Sequence, residues 1–183
     1  MAQMNRRELV ELLAGAAFAL QLPAAEPGAP LFFTKDEFAL LDCLTDLIIP
    51  TDDHSPGAHA AGVAAFIDRT TAESFLAQDK QSWRDGLQLI NTFSQRVNGA
   101  PFLETRKEQQ IALLSQMAQR EEEDTNPRHG RKEDENRTPE QKFWGQLKET
   151  TAFAYYSSSI GIHQDMNYKG NVYLREFVGY DAT

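Results

Sequence analysis

The chain has 183 residues, enough for one domain with a sizeable core and too few for two of ordinary size. Its 18 Lys and Arg against 27 Asp and Glu leave a formal charge of −9, which argues against a sequence-independent grip on phosphate backbones and so against nucleic acid as a partner. An apolar fraction of 41% with 10% aromatics suits a folded protein, and the one cysteine, Cys43, lies among Leu40, Leu41, Leu44 and Leu47, where it reads as a small core hydrophobe with no internal disulfide partner.

Residues 1–25 read as an address. Arg6-Arg7 precede Leu9-Val10 and a mildly apolar run from Leu12 to Leu20, with Ala24-Ala25 where a peptidase could cut. This arrangement resembles a twin-arginine export signal, although Glu8 and Glu11 depart from its usual apolar core. The competing reading is an N-terminal amphipathic helix of a cytosolic protein. No run of about 18 apolar residues occurs, so no bilayer-spanning helix is expected. Residues 26–33 read as a linker, and 34–183 as a single helical domain.

Thr34-Lys35-Asp36-Glu37 is a capping box opening a helix over about 35–49, in which Phe38, Leu41, Thr45 and Ile48 recur at helical spacing. A short helix is expected over about 60–69, with Val63, Phe66 and Ile67 on one face. Trp83, Leu87, Ile90, Phe93 and Val97 mark an amphipathic helix over about 78–98, with Gly99 as its stop. Thr105-Arg106-Lys107-Glu108 reads as another capping box, followed by a helix presenting Ile111, Leu114, Met117 and Ala118. Residues 120–138 mix charges of both signs without apolar periodicity, including the exposed-reading His129, and are expected to form a solvated, mobile loop. Thr138-Pro139-Glu140-Gln141 restarts helix, continued by Phe143, Trp144, Leu147, Thr151 and Ala154. The predicted fold is therefore an all-α, small irregular bundle of about five helices.

All five tyrosines, Tyr155, Tyr156, Tyr168, Tyr173 and Tyr180, fall in the last 29 residues, among Gly161, Gly170 and Gly179. Tyr and Gly with few Lys suit an extended strip covered by another macromolecule, because Tyr supplies contact area and a hydroxyl at low entropic cost. A strip that wraps its own bundle is the alternative.

The most particular stretch is 47–68, LIIPTDDHSPGAHAAGVAAFID. Pro50 ends the first helix and Pro56-Gly57 forces a second change of direction, leaving Asp52, Asp53, His54 and His59 around a corner. A metal-dependent enzyme using these four, with His163 and Asp165, has suitable ligand types but no recognised ligand spacing, so a corner with Asx-type turn bonds is preferred. The chain contains no G-x-S-x-G, G-x-G-x-x-G, G-x-x-x-x-G-K or C-x-x-C-H, and the acidic run Glu121 to Asp124 reads as a solvated face. By elimination the chain reads as a non-catalytic component.

Two stretches then carry a resemblance. Ile48-Ile49-Pro50, Asp52-Asp53, Pro56-Gly57-Ala58, Gly62-Val63 and Phe66-Ile67-Asp68, followed by Tyr155-Tyr156, Gly161 and Tyr168-Lys169-Gly170-Asn171, resemble the paired signatures of the gluconate 2-dehydrogenase subunit 3 family. The resemblance implies a small subunit with no cofactor of its own. Its partner would be a large flavoprotein of the glucose-methanol-choline oxidoreductase type, which binds FAD and oxidises a sugar or sugar acid, in some complexes with a multihaem cytochrome c subunit carrying haem c. The small subunit is expected to assist folding and export of the large one to the periplasm, meeting the membrane only through the complex. Partner contact is expected from Pro50, Asp52, Asp53, Pro56, Gly57, Tyr155, Tyr156, Gly161, Tyr168, Gly170 and Tyr173. A metal enzyme at the corner, or a cytosolic helical interaction module, are the alternatives.

Overall fold

The computed structural model describes residues 29–124 and 137–170. Arg6 and Arg7 of the expected export signal, the middle of the polar segment with His129, and Tyr173 and Tyr180 lie outside the described residues. Within them the chain is helical, with no strand: α1 (Lys35–Ile48), α2 (Val63–Glu73), α3 (Ala77–Asn98), a 3-10 turn (Phe102–Glu104), α4 (Lys107–Asp124), α5 (Pro139–Tyr156) and a π turn (Gly161–Asp165). The predicted all-α bundle of about five helices is the observed one.

Local chemistry sets most of the boundaries. Thr34 accepts from the Glu37 N–H while Glu37 reaches back to the Thr34 N–H, completing the box that opens α1. Thr138 and Gln141 repeat the device for α5, with Pro139 in the first turn. Gly99, at φ 77°, closes α3 in the left-handed region that glycine enters without penalty.

Several expectations are corrected. The Thr105–Glu108 box does not form, because the 3-10 turn takes up Thr105, whose hydroxyl donates to the Phe102 carbonyl. Gln109 instead accepts from the Arg106 N–H, one residue later. Helix α2 begins at Val63 rather than near residue 60, because Ala58–Gly62 is spent on a turn. Val97 and Ile111 face solvent. Helix α4 runs to Asp124, so the polar stretch from 120 starts in helix. The C-terminal strip is not extended in its first part, which coils into the π turn.

α5 is the hub and packs against each of the other four α-helices. Its buried side, Phe143, Trp144, Leu147, Thr151, Ala154 and Tyr155, meets Leu41 and Leu44 of α1, Ile67 of α2, Leu87 and Ile90 of α3 and Leu113 and Met117 of α4 in one core. Aromatic edges knit it further: Trp83 lies edge-on to Phe143 at 6.0 Å and to Phe33 at 6.4 Å. Phe33 belongs to the core, so the segment read as a linker already packs against the domain before α1 begins.

Candidate functional site

Pro50 turns the chain out of α1, and the corner that follows is closed by its own backbone and short polar side chains. The Ala58 N–H donates back across the turn to the Ile49 carbonyl (2.8 Å), and the Gly57 N–H donates to Thr51 Oγ1 (2.9 Å). Asp52 forms the expected Asx-type turn, one carboxylate oxygen accepting from the N–H groups of His54 and Ser55, each at 2.8 Å. Those bonds, from Ser55 first and then His54, hold the Asp52 carboxyl below the usual carboxylate range, so it is ionised at neutral pH. Gly57 is required by space: a Cβ would lie 2.5 Å from the Thr51 nitrogen and 2.6 Å from the Ile49 oxygen.

The second predicted stretch meets this corner at the end of α5. Tyr155 is 1% exposed, and its hydroxyl shares a 2.7 Å hydrogen bond with Ser55 and donates to the Pro56 carbonyl at 2.8 Å. Tyr155 is thus a core residue that staples the corner from within, not the exposed contact expected from the tyrosine-rich composition. Gly161 is buried where a Cβ would strike the Tyr155 carbonyl, and its N–H is held by Ser158 (3.0 Å). The π turn then brings Asp165 to the outer rim of the corner, where its backbone oxygen lies 3.0 Å from His54 Nε2 and its carboxylate 3.7 Å from the same atom. Partial burial first, and then the charge and hydrogen-bonding of nearby Asp165, push the Tyr156 phenol above its ordinary range. On the opposite side His59 Nδ1 sits 2.7 Å from the Asp42 carboxylate of α1.

The structure therefore brings together the two stretches that the sequence singled out. Pro50, Asp52, Asp53, His54, Tyr156, Tyr168 and Gly170 stand at the surface, while Gly57 and Tyr155 are buried and Pro56 is half-buried. The arrangement is a surface loop held by its own hydrogen bonds and by Tyr155 from beneath. His54 and His59 are turned to different carboxylates, and among the described residues no group of three or more His, Cys, Asp or Glu is placed to hold a metal ion. Ser55 is engaged by Tyr155 and the Pro56 carbonyl. An open cleft of about 600 Å³ beside α2 and α5 is lined by Leu31, Phe38, Ala61, Phe66 and Ala154, with Arg69 and Ser157 as its polar margin.

Asp68 was given no role by the sequence. It is 3% exposed, and its carboxylate accepts from three successive backbone N–H groups, Leu31 (2.6 Å), Phe32 (3.0 Å) and Phe33 (3.0 Å). Arg84 lies 4.4 Å over the Phe32 ring and pins the same strap from outside. A carboxylate on the apolar face of α2 was the available signal. Cys43 lies half-buried in α1, its thiol pushed up by burial and by Asp46 and Asp42, as suits an unreactive core group.

This bundle, with its corner stapled from the last helix, has a counterpart among known families. The profile of gluconate 2-dehydrogenase subunit 3 matches residues 35–172, which spans α1 to the end of the described chain and takes in both halves of the corner, and the protein belongs to that family. No curated protein and no solved structure matches the chain. The family's name is that of a subunit of a dehydrogenase complex. No described helix is long and apolar enough to cross a membrane.

Proposed function

We propose that this chain is a non-catalytic small subunit that binds the large FAD-dependent chain of a sugar or sugar-acid dehydrogenase of the glucose-methanol-choline type and assists its folding and export. The observation that carries this reading is the stapled corner. A loop with exposed Asp52, Asp53 and His54 is locked by the buried Tyr155, which fits a preformed contact face better than a reaction centre, because its polar groups are spent on one another. The proposed face comprises Pro50, Asp52, Asp53 and His54 with Tyr156 and Tyr168; Tyr155, Gly57 and Gly161 hold it in shape. Export to the periplasm by a twin-arginine route, through Arg6 and Arg7, is part of the proposal, as is haem c in a further cytochrome subunit of the complex.

Co-expression with the flavoprotein tests the reading. The two chains are expected to co-elute with FAD in the large chain only, and omission of this chain is expected to reduce the yield of soluble, exported flavoprotein. Flavin bound by this chain alone, or a flavoprotein indifferent to its presence, would overturn it.

A further inference from the structure

We infer that Phe75, with Leu76 beside it, is a preformed anchor that inserts into an apolar, basic-rimmed pocket of the partner subunit, at a place apart from the corner. This rests on the subunit reading above and names a second contact within it. The Phe75 side chain is 104% exposed and Leu76 is 63% exposed, two large apolar groups in succession in the short connection from α2 to α3. Exposure of one large apolar side chain is common, and two in succession on an ordered turn make a patch. Here the backbone holds the knob out. The Ser74 N–H donates to the Thr71 carbonyl (3.3 Å), Ser74 Oγ accepts from the Leu76 N–H (3.2 Å) and donates to Asp79 (2.9 Å), and the Asp79 N–H donates to the Leu76 carbonyl (3.2 Å). Four hydrogen bonds therefore bracket Phe75 on both sides, so little backbone ordering entropy remains to be lost when the ring is buried by a partner, and the ring's own rotamer freedom is the main ordering cost.

The surroundings favour a protein pocket over a lipid surface. Glu73 and Asp79 flank the knob, and the Lys80 ammonium is drawn toward the Phe32 ring, 6.0 Å away. Adjacent carboxylates on a chain of net charge −9 oppose approach to an anionic bilayer, and they complement a pocket whose rim carries Lys or Arg. An aromatic anchor in a closed pocket is the usual form of an interface hot spot.

The test is affinity of the full chain for the purified flavoprotein subunit, measured by titration for the wild type, Phe75→Ala, Phe75→Trp and Leu76→Ser. Phe75→Ala is expected to raise Kd by about tenfold or more and Leu76→Ser by a smaller factor, with thermal unfolding of the isolated chain unchanged because the ring packs against nothing. Phe75→Trp is expected to retain most of the affinity, and salt to weaken wild-type binding. Wild-type binding left unaltered by Phe75→Ala would overturn this contact and leave the subunit reading intact. A wild-type chain that does not bind the flavoprotein would overturn both. Sedimentation with phosphatidylglycerol vesicles, abolished by Phe75→Ala, would overturn the protein pocket in favour of a lipid surface.

Discussion

A carboxylate on the buried face of a helix is costly unless its lone pairs are filled, and Asp68 fills them with backbone donors from a segment 35 to 37 residues earlier. The strap Leu31–Phe33 would otherwise leave three N–H groups beside the core, so donor and acceptor rescue each other. Asp68→Asn keeps the size but replaces the charge with one neutral oxygen and turns an NH2 toward donors. The expected cost is about 2–3 kcal/mol in urea unfolding, with faster protease cleavage near Leu31. An unchanged midpoint would mean that Phe33 packing alone holds the strap. The sequence showed Asp68 only as a letter of a matching motif, because a partner so far away in the chain leaves no mark on local spacing.

Helix starts were legible where a complete cap exists, as at Thr34 and Thr138, since a capping box is contained in four consecutive residues. The start of α4 falls one residue later than the expected box, because the Thr105 hydroxyl is spent on the Phe102 carbonyl of the preceding 3-10 turn. Val97 and Ile111 show the limit of periodicity: both sit at helical spacing from core residues, yet they are 51% and 47% exposed. Packing between elements can also reverse a propensity argument. Gly86 lies inside α3, where alanine would favour the helix by about 1 kcal/mol. A Cβ there would fall within the Phe143 ring of α5, so Gly86→Ala is expected to destabilise by about 1–3 kcal/mol, read from the thermal midpoint. A rise in midpoint would mean that the ring has room to swing aside.

At the scale of the whole molecule, the hydroxyl of Tyr155 couples the corner to the bundle across 99 and 100 residues of sequence. Tyr155→Phe keeps the ring in the core and removes only that link. Its expected cost is about 1–2 kcal/mol in denaturant unfolding with helical content unchanged, while Tyr156→Phe, at a position 45% exposed, serves as the control expected to cost less. Equal stability of Tyr155→Phe and wild type would dismiss the staple. Affinity for the flavoprotein is expected to fall with it if the corner is a contact face, because the loop then loses its preformed shape.

The sequence by itself determined the helical class, the order and approximate limits of the five helices, and the two stretches whose joint presence marks the family. These are matters of periodicity, caps and short motifs, all carried by neighbouring residues. It also contained an unread signal for Tyr155, which follows Leu147 and Thr151 at helical steps and so continues the buried stripe of α5. Only the tertiary structure decided that this ring faces inward while Tyr156 faces out, that Asp68 holds the strap, and that Phe75 stands in solvent. Each depends on which elements meet at that point. Composition can say that a residue suits a surface or a core, and the packing of distant segments assigns it to one.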